Sequence, residues 1–472
     1  MNDTIAAIST PLGEGAIAVL RMSGPRAVEI AGRVFRGKVR AEDAAARMQY
    51  FGAIGDGGHK LDDVLLTVFR APHSYTGEDV VEIAGHGGVL VVRRILDLLL
   101  KNGARSAEPG EFTQRAYLSG KMDLTQAEAV MDLITAQTDL ALRAATEQLE
   151  GRLGERIRGL RERLVELLAH VEAFIDFPDE DIDPDTGDAL RAKLDTARAE
   201  TAALLATAGQ GRVLREGVRT VIYGAPNVGK SSLLNLLLGY ERAIVSARPG
   251  TTRDVIEEVI SLRGYPLRLV DTAGIRESDD EIERAGMART RQQIERADLI
   301  LHLADASAPP RGADAPSAFV PAGAPPAEVS TDEGVRRTVA DGASAPRAAE
   351  LLVLNKSDLG EHPGWAGVEA VRISCWQNAG LTALEDAIIA RITGGQAAHR
   401  DWSVSINARH QACLAKALDD IQAAYRALTD GLSPEFIAEE LRAALDAVGE
   451  VVGKADSEEI LGKIFSTFCI GK

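Results

Sequence analysis

A glycine-rich loop constrains the fold of this chain more than any other feature. Residues 224–232 read GAPNVGKSS; they follow the apolar run Val218–Tyr223 and precede the leucine-rich segment 233–238. A short β-branched strand that leads into glycines, then into Lys-Ser and a helix, is typical of a phosphate-binding loop. The glycines allow backbone N–H groups to turn toward phosphate oxygens at the positive end of the helix. We therefore predict a nucleotide-binding domain with a mostly parallel sheet.

Two side chains of this loop have predicted roles in phosphate binding. Lys230 would reach the outer phosphates as a compact positive charge, and the Ser231 hydroxyl would hold Mg²⁺. The alternative is a chance glycine-rich turn, which the strand-loop-helix context argues against.

A second motif indicates which base is bound. Residues 351–354 have the pattern of a buried strand and end in Asn355-Lys-Ser-Asp358. An aspartate at the last position accepts hydrogen bonds from the N1–H and the exocyclic amine of guanine, and adenine has no such pair of donors. Asn355 would orient the loop, and the stem of Lys356 would lie against the base. The segment Ile373–Cys375 would touch the guanine carbonyl through its backbone.

A third motif completes the pattern of a GTPase. The strand-like segment 267–270 leads into Asp271-Thr-Ala-Gly274, in which Asp271 would support Mg²⁺ and the Gly274 N–H would meet the γ-phosphate. Three signatures in this order, each after a strand, predict a protein that binds and hydrolyses GTP.

The residues themselves leave open which group activates the attacking water. Ile275 stands where Ras-like proteins have a glutamine that orients this water, and isoleucine cannot do so. The acidic segment that follows offers five candidates: Glu277, Asp279, Asp280, Glu281 and Glu283. Upstream, residues 249–254 (PGTTRD) have the position of the first switch, with one threonine that closes on Mg²⁺ when GTP is present.

Composition restricts the class of protein. The net charge of −17 argues against a surface that attracts nucleic acid as a whole, so an RNA contact needs a local basic patch. The densest candidate is the run of arginines in 152–163, although arginines with helical spacing are more often a solvated face. Three cysteines without paired or metal-ligand spacing, and the absence of an N-terminal apolar signal, favour a reducing cytoplasm. No apolar run approaches the length that spans a membrane.

Periodicity divides the 472 residues into four segments. Residues 1–120 read as a mixed α/β domain, 121–215 as helical, 216–394 as the nucleotide domain and 395–472 as helical again. We predict that the two helical segments pack into one bundle, with the GTPase domain inserted between them. Residues 306–349 are rich in Ala, Pro, Gly and Ser without periodicity, which predicts a disordered insertion in the nucleotide domain.

Several short stretches outside the nucleotide motifs are specific enough to identify a family. They are residues 3–5 (DTI), 20–24 (LRMSG), 75–80 (YTGEDV), 85–88 (GHGG), 109–112 (PGEF), 121–124 (KMDL) and the terminal 469–472 (CIGK). With them the chain resembles the MnmE (TrmE) family of tRNA-modification GTPases over nearly its whole length, apart from 306–349. A P-loop GTPase that ends in Cys-Ile-Gly-Lys is especially specific to that family.

The resemblance implies an N-terminal α+β folate-binding domain that also dimerises, a helical bundle built from two segments, and an inserted Ras-like P-loop GTPase domain. A formyl- or methylene-tetrahydrofolate would serve as one-carbon donor. The positions that match the family's folate contacts are Arg21, Glu78, Lys121 and Lys472. Cations of this kind suit the glutamate carboxylates of a folate, and Glu78 suits a pterin amine.

The resemblance also implies that potassium lies beside the nucleotide. Together with dimerisation of two GTPase domains, it would replace an arginine finger. The matching potassium ligands are Asn227, Ser246, Arg248 and Thr251. Threonine is commoner in the family at the position of Ser246, so this ligand departs from the family's pattern.

Two further roles follow from the same resemblance. Thr252 matches the Mg²⁺-binding threonine of the switch, and Glu283 matches the general base that acts through a bridging water. The positions that match the GTP-binding motifs are Asn227, Val228, Gly229, Lys230, Ser231, Ser232, Ser246, Ala247, Arg248, Pro249, Gly250, Thr251, Thr252, Asp271, Thr272, Ala273, Gly274, Asn355, Lys356, Ser357, Asp358 and Ser374.

The implied activity is modification of the wobble uridine of certain tRNAs at C5, by a cytoplasmic homodimer in complex with the FAD-containing partner MnmG. GTP hydrolysis would drive a conformational change and not the carbon chemistry itself. Cys469 is a candidate nucleophile, because a thiolate near Lys472 would be favoured; a small residue that packs in the folate-side interface is the alternative. A regulatory GTPase switch in ribosome assembly is the competing function, since it shares every guanine motif.

Overall fold

The computed structural model describes residues 3–176, 187–239, 257–270, 292–310, 349–394, 405–453 and 458–471. Internal contacts separate two compact units. Residues 1–134, 145–205 and 409–472 form unit 1, and residues 135–144 and 206–408 form unit 2. Each unit has a hydrophobic core of its own.

The described part of the chain contains strands in two separate sheets, with helices between and around them. The strands are β1 (Ile5–Ile8), β2 (Ile17–Ser23), β3 (Phe35–Gly37), β4 (Gln49–Asp56), β5 (His59–Phe69), β6 (Val80–His86), β7 (Arg105–Ser106), β8 (Val218–Tyr223), β9 (Glu257–Leu262), β10 (Tyr265–Val270), β11 (Leu299–Asp305), β12 (Ala349–Asn355) and β13 (Val371–Arg372). The helices are α1 (Ala27–Val34), α2 (Val89–Lys101), α3 (Glu111–Leu118), α4 (Leu124–Thr135), α5 (Asp139–Leu149), α6 (Arg152–Asp176), α7 (Gly187–Ala206), α8 (Ala208–Glu216), α9 (Lys230–Leu238), α10 (Leu381–Ile392), α11 (Ala408–Thr429), α12 (Pro434–Val452) and α13 (Glu458–Phe465). Within these ranges, no helix combines the length and the apolar character needed to cross a membrane.

A seven-stranded sheet begins unit 1. The strand order is β3-β4-β5-β6-β2-β1-β7, and each neighbouring pair is antiparallel except β1 with β7. Side chains alternate between the two faces of β2, so Leu20 and Met22 enter the core formed with α1 and α2, while Arg21 lies on the opposite face. The register places Arg21 opposite Glu82 of β6. Residues 1–120 therefore contain both strands and helices, as their sequence predicts.

Long amphipathic helices form the rest of unit 1. The buried positions of α6 recur every three or four residues, as the sequence predicts: Leu153, Ile157, Leu160, Leu164 and Leu167. This helix packs against α12, and the ion pair of Glu172 with Arg442 (2.6 Å) joins the two. Helices from both predicted helical segments therefore contact each other within one unit.

The C-terminal residues pack on the N-terminal part of the same unit. Apolar side chains of α13 and the turn after it form a small core with α4. Beyond that core, Ile470 forms a β-bridge with Pro109, and the Ser9 hydroxyl donates to the Gly471 carbonyl (3.3 Å). The tail that carries the terminal motif therefore lies between the end of β1 and the start of α3.

Unit 2 is built on a six-stranded sheet in the order β13-β12-β11-β8-β10-β9. The neighbouring pairs are parallel, except that β9 and β10 form an antiparallel hairpin. Residues 301–304 and 351–355 are buried in this sheet, since parallel strands are covered on both faces. The carboxyl ends of β8, β11 and β12 lie side by side, and open parallel sheets bind their ligands at that edge.

The structure describes the first residues and the last residue of the predicted insertion 306–349. Ala306 is fully buried, and its N–H donates to the Asn355 carbonyl (2.8 Å). Ala349 is the first residue of β12. Hydrogen bonding and burial therefore extend past the change in composition: Ala306 lies directly after β11, and Ala349 begins β12. Residues 311–348 lie outside the described residues.

Candidate nucleotide-binding site

The loop between β8 and α9 has the backbone that its glycine-rich motif predicts. Gly224 and Gly229 have φ angles of 156° and 101°, which L side chains rarely adopt, and Asn227 has a φ of 64°. A Cβ on Gly224 would lie 2.1 Å from the carbonyl oxygen of Leu303, and a Cβ on Gly229 would lie 2.3 Å from Nδ2 of Asn355. Both positions therefore require glycine for two reasons: the backbone conformation, and the close approach of Leu303 and Asn355 to the loop.

Lys230 begins α9 and directs its charge into the loop. Its Nζ donates to the carbonyls of Gly224 and Ala225, at 2.9 Å each. Burial lowers the pKa of this ammonium group. Ser231 and Ser232 follow in the first turn of α9, and both are exposed. The loop thus combines a cation, two open hydroxyls and the first N–H groups of a helix, which suits a phosphate group.

Asn355, the last residue of β12, connects the phosphate loop with the guanine motif. Its side chain is buried, its Nδ2 donates to the Val228 carbonyl (2.9 Å), and its Oδ1 accepts from the Cys375 N–H (3.0 Å). One amide group therefore joins the phosphate loop, the end of β12 and the loop after β13. The predicted orienting role of Asn355 has a geometric basis in these two bonds.

Asp358 is exposed at the same edge of the sheet. Its Oδ1 accepts from the Ser374 hydroxyl (2.5 Å), and the Ser374 oxygen accepts in turn from the Gln377 N–H (3.1 Å). The Ser357 N–H donates to the Ile373 carbonyl (3.1 Å), which holds the two loops together. Because Ser374 is buried, its hydroxyl orients the Asp358 carboxylate from the protein side.

Asp305, the last residue of β11, contacts the guanine motif although no sequence motif marks it. Lys356 has a φ of 64°, and its Nζ lies 2.6 Å from Oδ2 of Asp305. Parallel pairing of β11 with β12 places Asp305 opposite Asn355, one residue before Lys356. The sequence signal that could have identified Asp305 is its position: it is a carboxylate at the end of β11, the strand next to the one that leads into the Asn-Lys-Ser-Asp motif.

Several predicted site residues lie outside the described residues. They are Ser246, Ala247, Arg248, Pro249, Gly250, Thr251, Thr252, Asp271, Thr272, Ala273, Gly274, Glu283 and Lys472. Their roles toward Mg²⁺, K⁺, water and folate stay predictions. The strand that precedes residue 271, β10, is parallel to β8 and ends at the same edge of the sheet.

Arg21, the first of the predicted folate contacts, lies between a carboxylate and two aromatic rings in unit 1. Its Nη2 pairs with Glu82 (2.7 Å), and its guanidinium carbon lies 5.5 Å from the ring centroid of Tyr75 and 5.8 Å from that of Phe112. Burial raises the pKa of Tyr75. The cation is thus held on the sheet face opposite α1 and α2.

Glu78 belongs to a buried ion-pair cluster that the sequence did not reveal. Its carboxylate accepts from the Ser23 hydroxyl (2.6 Å) and from Nη1 of Arg115 (3.2 Å). Arg115 is 2% exposed and also pairs with Glu111 and Asp3, at 2.8 Å each. Burial alone would lower the pKa of Arg115, but the hydrogen bond to Glu111 and the charge of Glu78 raise it.

Lys121 lies beside the loop that carries Glu78. Its Cε is 3.5 Å from the point that a Cβ on Gly77 would occupy. The same lysine borders a cleft of about 540 Å³, which is also lined by Asp123 and Arg158. The structure therefore places Lys121 beside the residue that precedes Glu78, although the two predicted folate contacts are more than forty residues apart in the sequence.

Cys469 is exposed in the C-terminal tail. Its carbonyl accepts from the Gly110 N–H (3.4 Å), two residues before Phe112. Because the Arg21 guanidinium lies 5.8 Å from the Phe112 ring, the tail approaches the segment that contacts the first predicted folate residue.

The arginine run 152–163, the local basic patch of the sequence, carries its own counter-ions. Arg158 pairs with Asp123 (3.1 Å), and Arg163 pairs with Glu200 on α7. This pairing favours a solvated, ion-paired helix face over an RNA-binding patch.

A parallel sheet with a phosphate loop after β8 and an Asn-Lys-Ser-Asp loop after β12 defines a P-loop guanine-nucleotide-binding protein. The family model for the GTP-binding protein TrmE N-terminus matches residues 4–121, and the model for the MnmE helical domain matches residues 124–469. The chain belongs to the MnmE family.

Curated relatives of the chain cover its whole length. A protein named tRNA modification GTPase MnmE from Akkermansia muciniphila is 50% identical over 471 residues, which are 99% of each chain. Proteins of the same name from Natranaerobius thermophilus and Geobacillus kaustophilus are each 44% identical and match 100% of this chain. These alignments cover 100% and 99% of the two relatives.

Proposed function

We propose that the chain is the potassium-dependent GTPase of a tRNA-modifying complex. With the FAD-containing partner MnmG, it adds an aminomethyl-type group, carboxymethylaminomethyl, to C5 of the wobble uridine of certain tRNAs, from a tetrahydrofolate one-carbon donor. Membership of the MnmE family makes the chain a GTP hydrolase of tRNA modification. The observation that carries the proposal is the double hydrogen bond of Asn355, which couples phosphate binding to guanine recognition.

Guanine selection rests on Asp358. Its carboxylate accepts from the N1–H and the exocyclic amine of guanine, while Ser374 keeps the carboxylate in place. Adenine lacks this pair of donors, so in a complex with the wrong base the carboxylate has no partner on the base and the binding free energy of two charge-assisted hydrogen bonds is lost.

The phosphate loop fits a triphosphate with Mg²⁺. Gly224 and Gly229 give the loop its backbone conformation and its close contacts with Leu303 and Asn355, and Lys230 supplies positive charge. Ser231 and Thr252 would hold Mg²⁺, which when bound neutralises charge on the phosphates. Lys230 exchanges its two carbonyl contacts for phosphate oxygens, and the exchange is favourable because charge-assisted hydrogen bonds are stronger.

Hydrolysis is proposed to depend on K⁺ and on one carboxylate. Asn227 is exposed in the phosphate loop, which leaves its side-chain oxygen available as a ligand. The other proposed ligands are Ser246, Arg248 and Thr251. Glu283 accepts the proton of the attacking water through a bridging water, a role that typically contributes about 10²–10⁴ in rate.

GTP turnover is expected to be faster in potassium than in sodium at equal ionic strength. Glu283→Ala is expected to lower kcat in potassium by on the order of 10²-fold and to abolish the stimulation, because general-base catalysis is lost. The measurement is phosphate release by the full chain in both salts.

The matched control for this test is Glu361→Gln. Glu361 is an exposed carboxylate of unit 2 that pairs with Arg372 (2.6 Å), and its loss should leave the potassium-to-sodium ratio unchanged. Equal wild-type rates in the two salts would reject Asn227 as a potassium ligand, and they would favour the regulatory switch.

Folate binding is proposed for Arg21, Glu78, Lys121 and Lys472. Arg21 and Lys121 supply cations for the glutamate carboxylates of the ligand. Glu78 already accepts from Ser23 and Arg115, but an ionised carboxylate has about four acceptor sites and accommodates a pterin amine as well.

Lys121→Ala is expected to weaken binding of a formyl-tetrahydrofolate to the full chain by roughly tenfold, because one charge-assisted contact is lost. Calorimetric titration measures the change in Kd. Lys101→Ala removes an exposed lysine that pairs with Asp56 (2.6 Å) and should leave the Kd unchanged. Absence of folate binding by the wild-type chain would reject this part of the proposal and favour the ribosome-assembly switch.

The remaining parts of the proposal complete the assembly. The chain forms a homodimer through its N-terminal domain, acts on tRNA with MnmG in the cytoplasm, and presents Cys469 as a candidate nucleophile. Its proposed domains are 1–120 for folate binding and dimerisation, 121–215 and 395–472 for the helical bundle, and 216–394 for the GTPase.

A further inference from the structure

The Asp305 carboxylate is held from two sides. Its Oδ1 accepts from the N–H (3.0 Å) and the hydroxyl (2.7 Å) of Ser307, and its Oδ2 accepts from Nζ of Lys356 (2.6 Å). The Asp305 side chain is 20% exposed and that of Lys356 34%, so the pair is shielded more than a surface ion pair. The orientation of the carboxylate is thus fixed before any nucleotide contact.

The turn after Asp305 is itself held by the segment 362–365. Trp365 is buried beside it and donates its Nε1–H to the Ala308 carbonyl (2.8 Å). The His362 N–H donates to the Ala306 carbonyl (2.8 Å). Asp305 is therefore a fixed point against which a flexible side chain can be ordered.

Lys356 leaves the guanine loop from a constrained backbone. Its φ of 64° lies in the left-handed region, which a lysine rarely adopts. Both neighbours of Lys356 are held in place. Asn355 is held by the hydrogen bond of its side-chain amide to the Val228 carbonyl, and Ser357 by its N–H, which donates to the Ile373 carbonyl. With the backbone fixed, rotation of the long Lys356 side chain is the main conformational freedom that remains, and the ion pair with Asp305 restricts it.

We propose that Asp305 is a positioning residue for guanine recognition, which acts by ordering the stem of Lys356 against which the base lies. The inference rests on the proposed function, because it takes a guanine nucleotide as the ligand. Ordering a lysine in advance removes an entropic cost from binding. Since the contact is on the base side, GDP and GTP should benefit equally, and the chemical step should be unaffected.

Asp305→Asn in the full chain tests the proposal. Asparagine keeps the size and one acceptor for Ser307 but loses the charge that holds Lys356. We expect about five- to tenfold weaker binding of GDP and an equal rise in KM for GTP, with kcat unchanged. A fluorescent GDP analogue gives the Kd, phosphate release gives KM and kcat, and Asp305→Glu, which keeps the charge, should restore the affinity.

Two further variants separate positioning from a general loss of structure. After Lys356→Ala, the additional change Asp305→Asn should cause no further loss, since the two residues act as one unit. Glu385→Gln removes an ion pair with Arg263 (2.9 Å) elsewhere in unit 2 and should leave Kd and KM unchanged.

Three outcomes overturn the inference. Equal GDP affinity of wild type and Asp305→Asn rejects it, and so do additive losses in the double variant, while guanine binding by the wild type preserves the proposed function in both cases. A wild-type chain that binds no guanine nucleotide rejects the proposed function and this inference together.

Discussion

Replacing Asp358 with asparagine is expected to weaken GTP binding by roughly 10²–10⁴-fold, because two hydrogen bonds from guanine to a charged acceptor are lost. The amide also turns a donor toward a donor of the base. Asp358 is exposed, so the substitution leaves the core intact and the loss is one of recognition. Calorimetric titration of the full chain with GTP measures the Kd, and the KM of hydrolysis should rise in parallel.

Xanthine provides the matched rescue for this substitution, because it has a carbonyl where guanine has the amine. We expect Asp358→Asn to bind xanthosine triphosphate more tightly than the wild type does. Ser374→Ala removes only the hydroxyl that orients Asp358 (2.5 Å), so its loss of GTP affinity should be about fivefold. Unchanged GTP affinity in Asp358→Asn would contradict guanine recognition by this loop.

The phosphate loop was predictable because its constraints are local. Gly224 and Gly229 need their left-handed backbone within a few residues of Lys230, where α9 begins. The strand before the loop follows from the β-branched run 218–223, which the structure forms as β8. Motif spacing and the β-branched run, both of them local features, therefore predicted the elements around this motif.

The partners of these residues were not predictable, because they are distant in sequence. Asn355 donates to a residue 127 positions away, and Lys356 pairs with Asp305, 51 positions away. Only the register of β11 with β12 brings the second pair together. Composition likewise gave no sign that Ala306, the first residue of the predicted insertion, is buried directly after β11.

The ion-pair cluster around Glu78 shows the same limit. A motif singled out Glu78, but not Arg115, which lies 37 positions away and holds its carboxylate. Nothing in the local sequence of α3 distinguishes a buried arginine from a solvated one, because its burial depends on how α3 lies against the sheet and on Asp3 and Glu111.

A second buried network in unit 1 joins α4 to α11 and α12. Glu128 accepts from Nε of Arg409 (2.8 Å) and lies 2.6 Å from Nε2 of His410, which is fully buried. Arg409 also donates to the carbonyls of Glu450 (2.7 Å) and Val451 (2.9 Å) at the end of α12. The guanidinium thus stabilises the C-terminus of that helix, and the carboxylate holds the guanidinium in place.

Glu128→Ala is expected to lower the free energy of unfolding by about 3–5 kcal/mol, because it leaves the buried His410 and the partly buried Arg409 without their carboxylate. The urea midpoint at pH 7 and hydrogen exchange of the α4 and α11 amides measure the loss. Glu172→Ala is the control, since its pair with Arg442 is 38% and 57% exposed and is worth less than about 1 kcal/mol. Equal losses in the two variants would contradict a dominant role for the buried network.

The same network makes stability depend on pH in a defined direction. Burial alone would raise the pKa of Glu128, but the hydrogen bonds and charges of His410 and Arg409 lower it from 4.5 to about 2. A carboxyl with a depressed folded pKa contributes stability above its unfolded pKa and loses it as the pH falls through the folded pKa. Through this group the wild type should lose about 3 kcal/mol between pH 4.5 and pH 2, whereas Glu128→Gln, uncharged throughout, should lose none of it. The difference in unfolding free energy between the two proteins should therefore shrink over that interval, and a constant difference would show that Glu128 does not carry the stabilising charge.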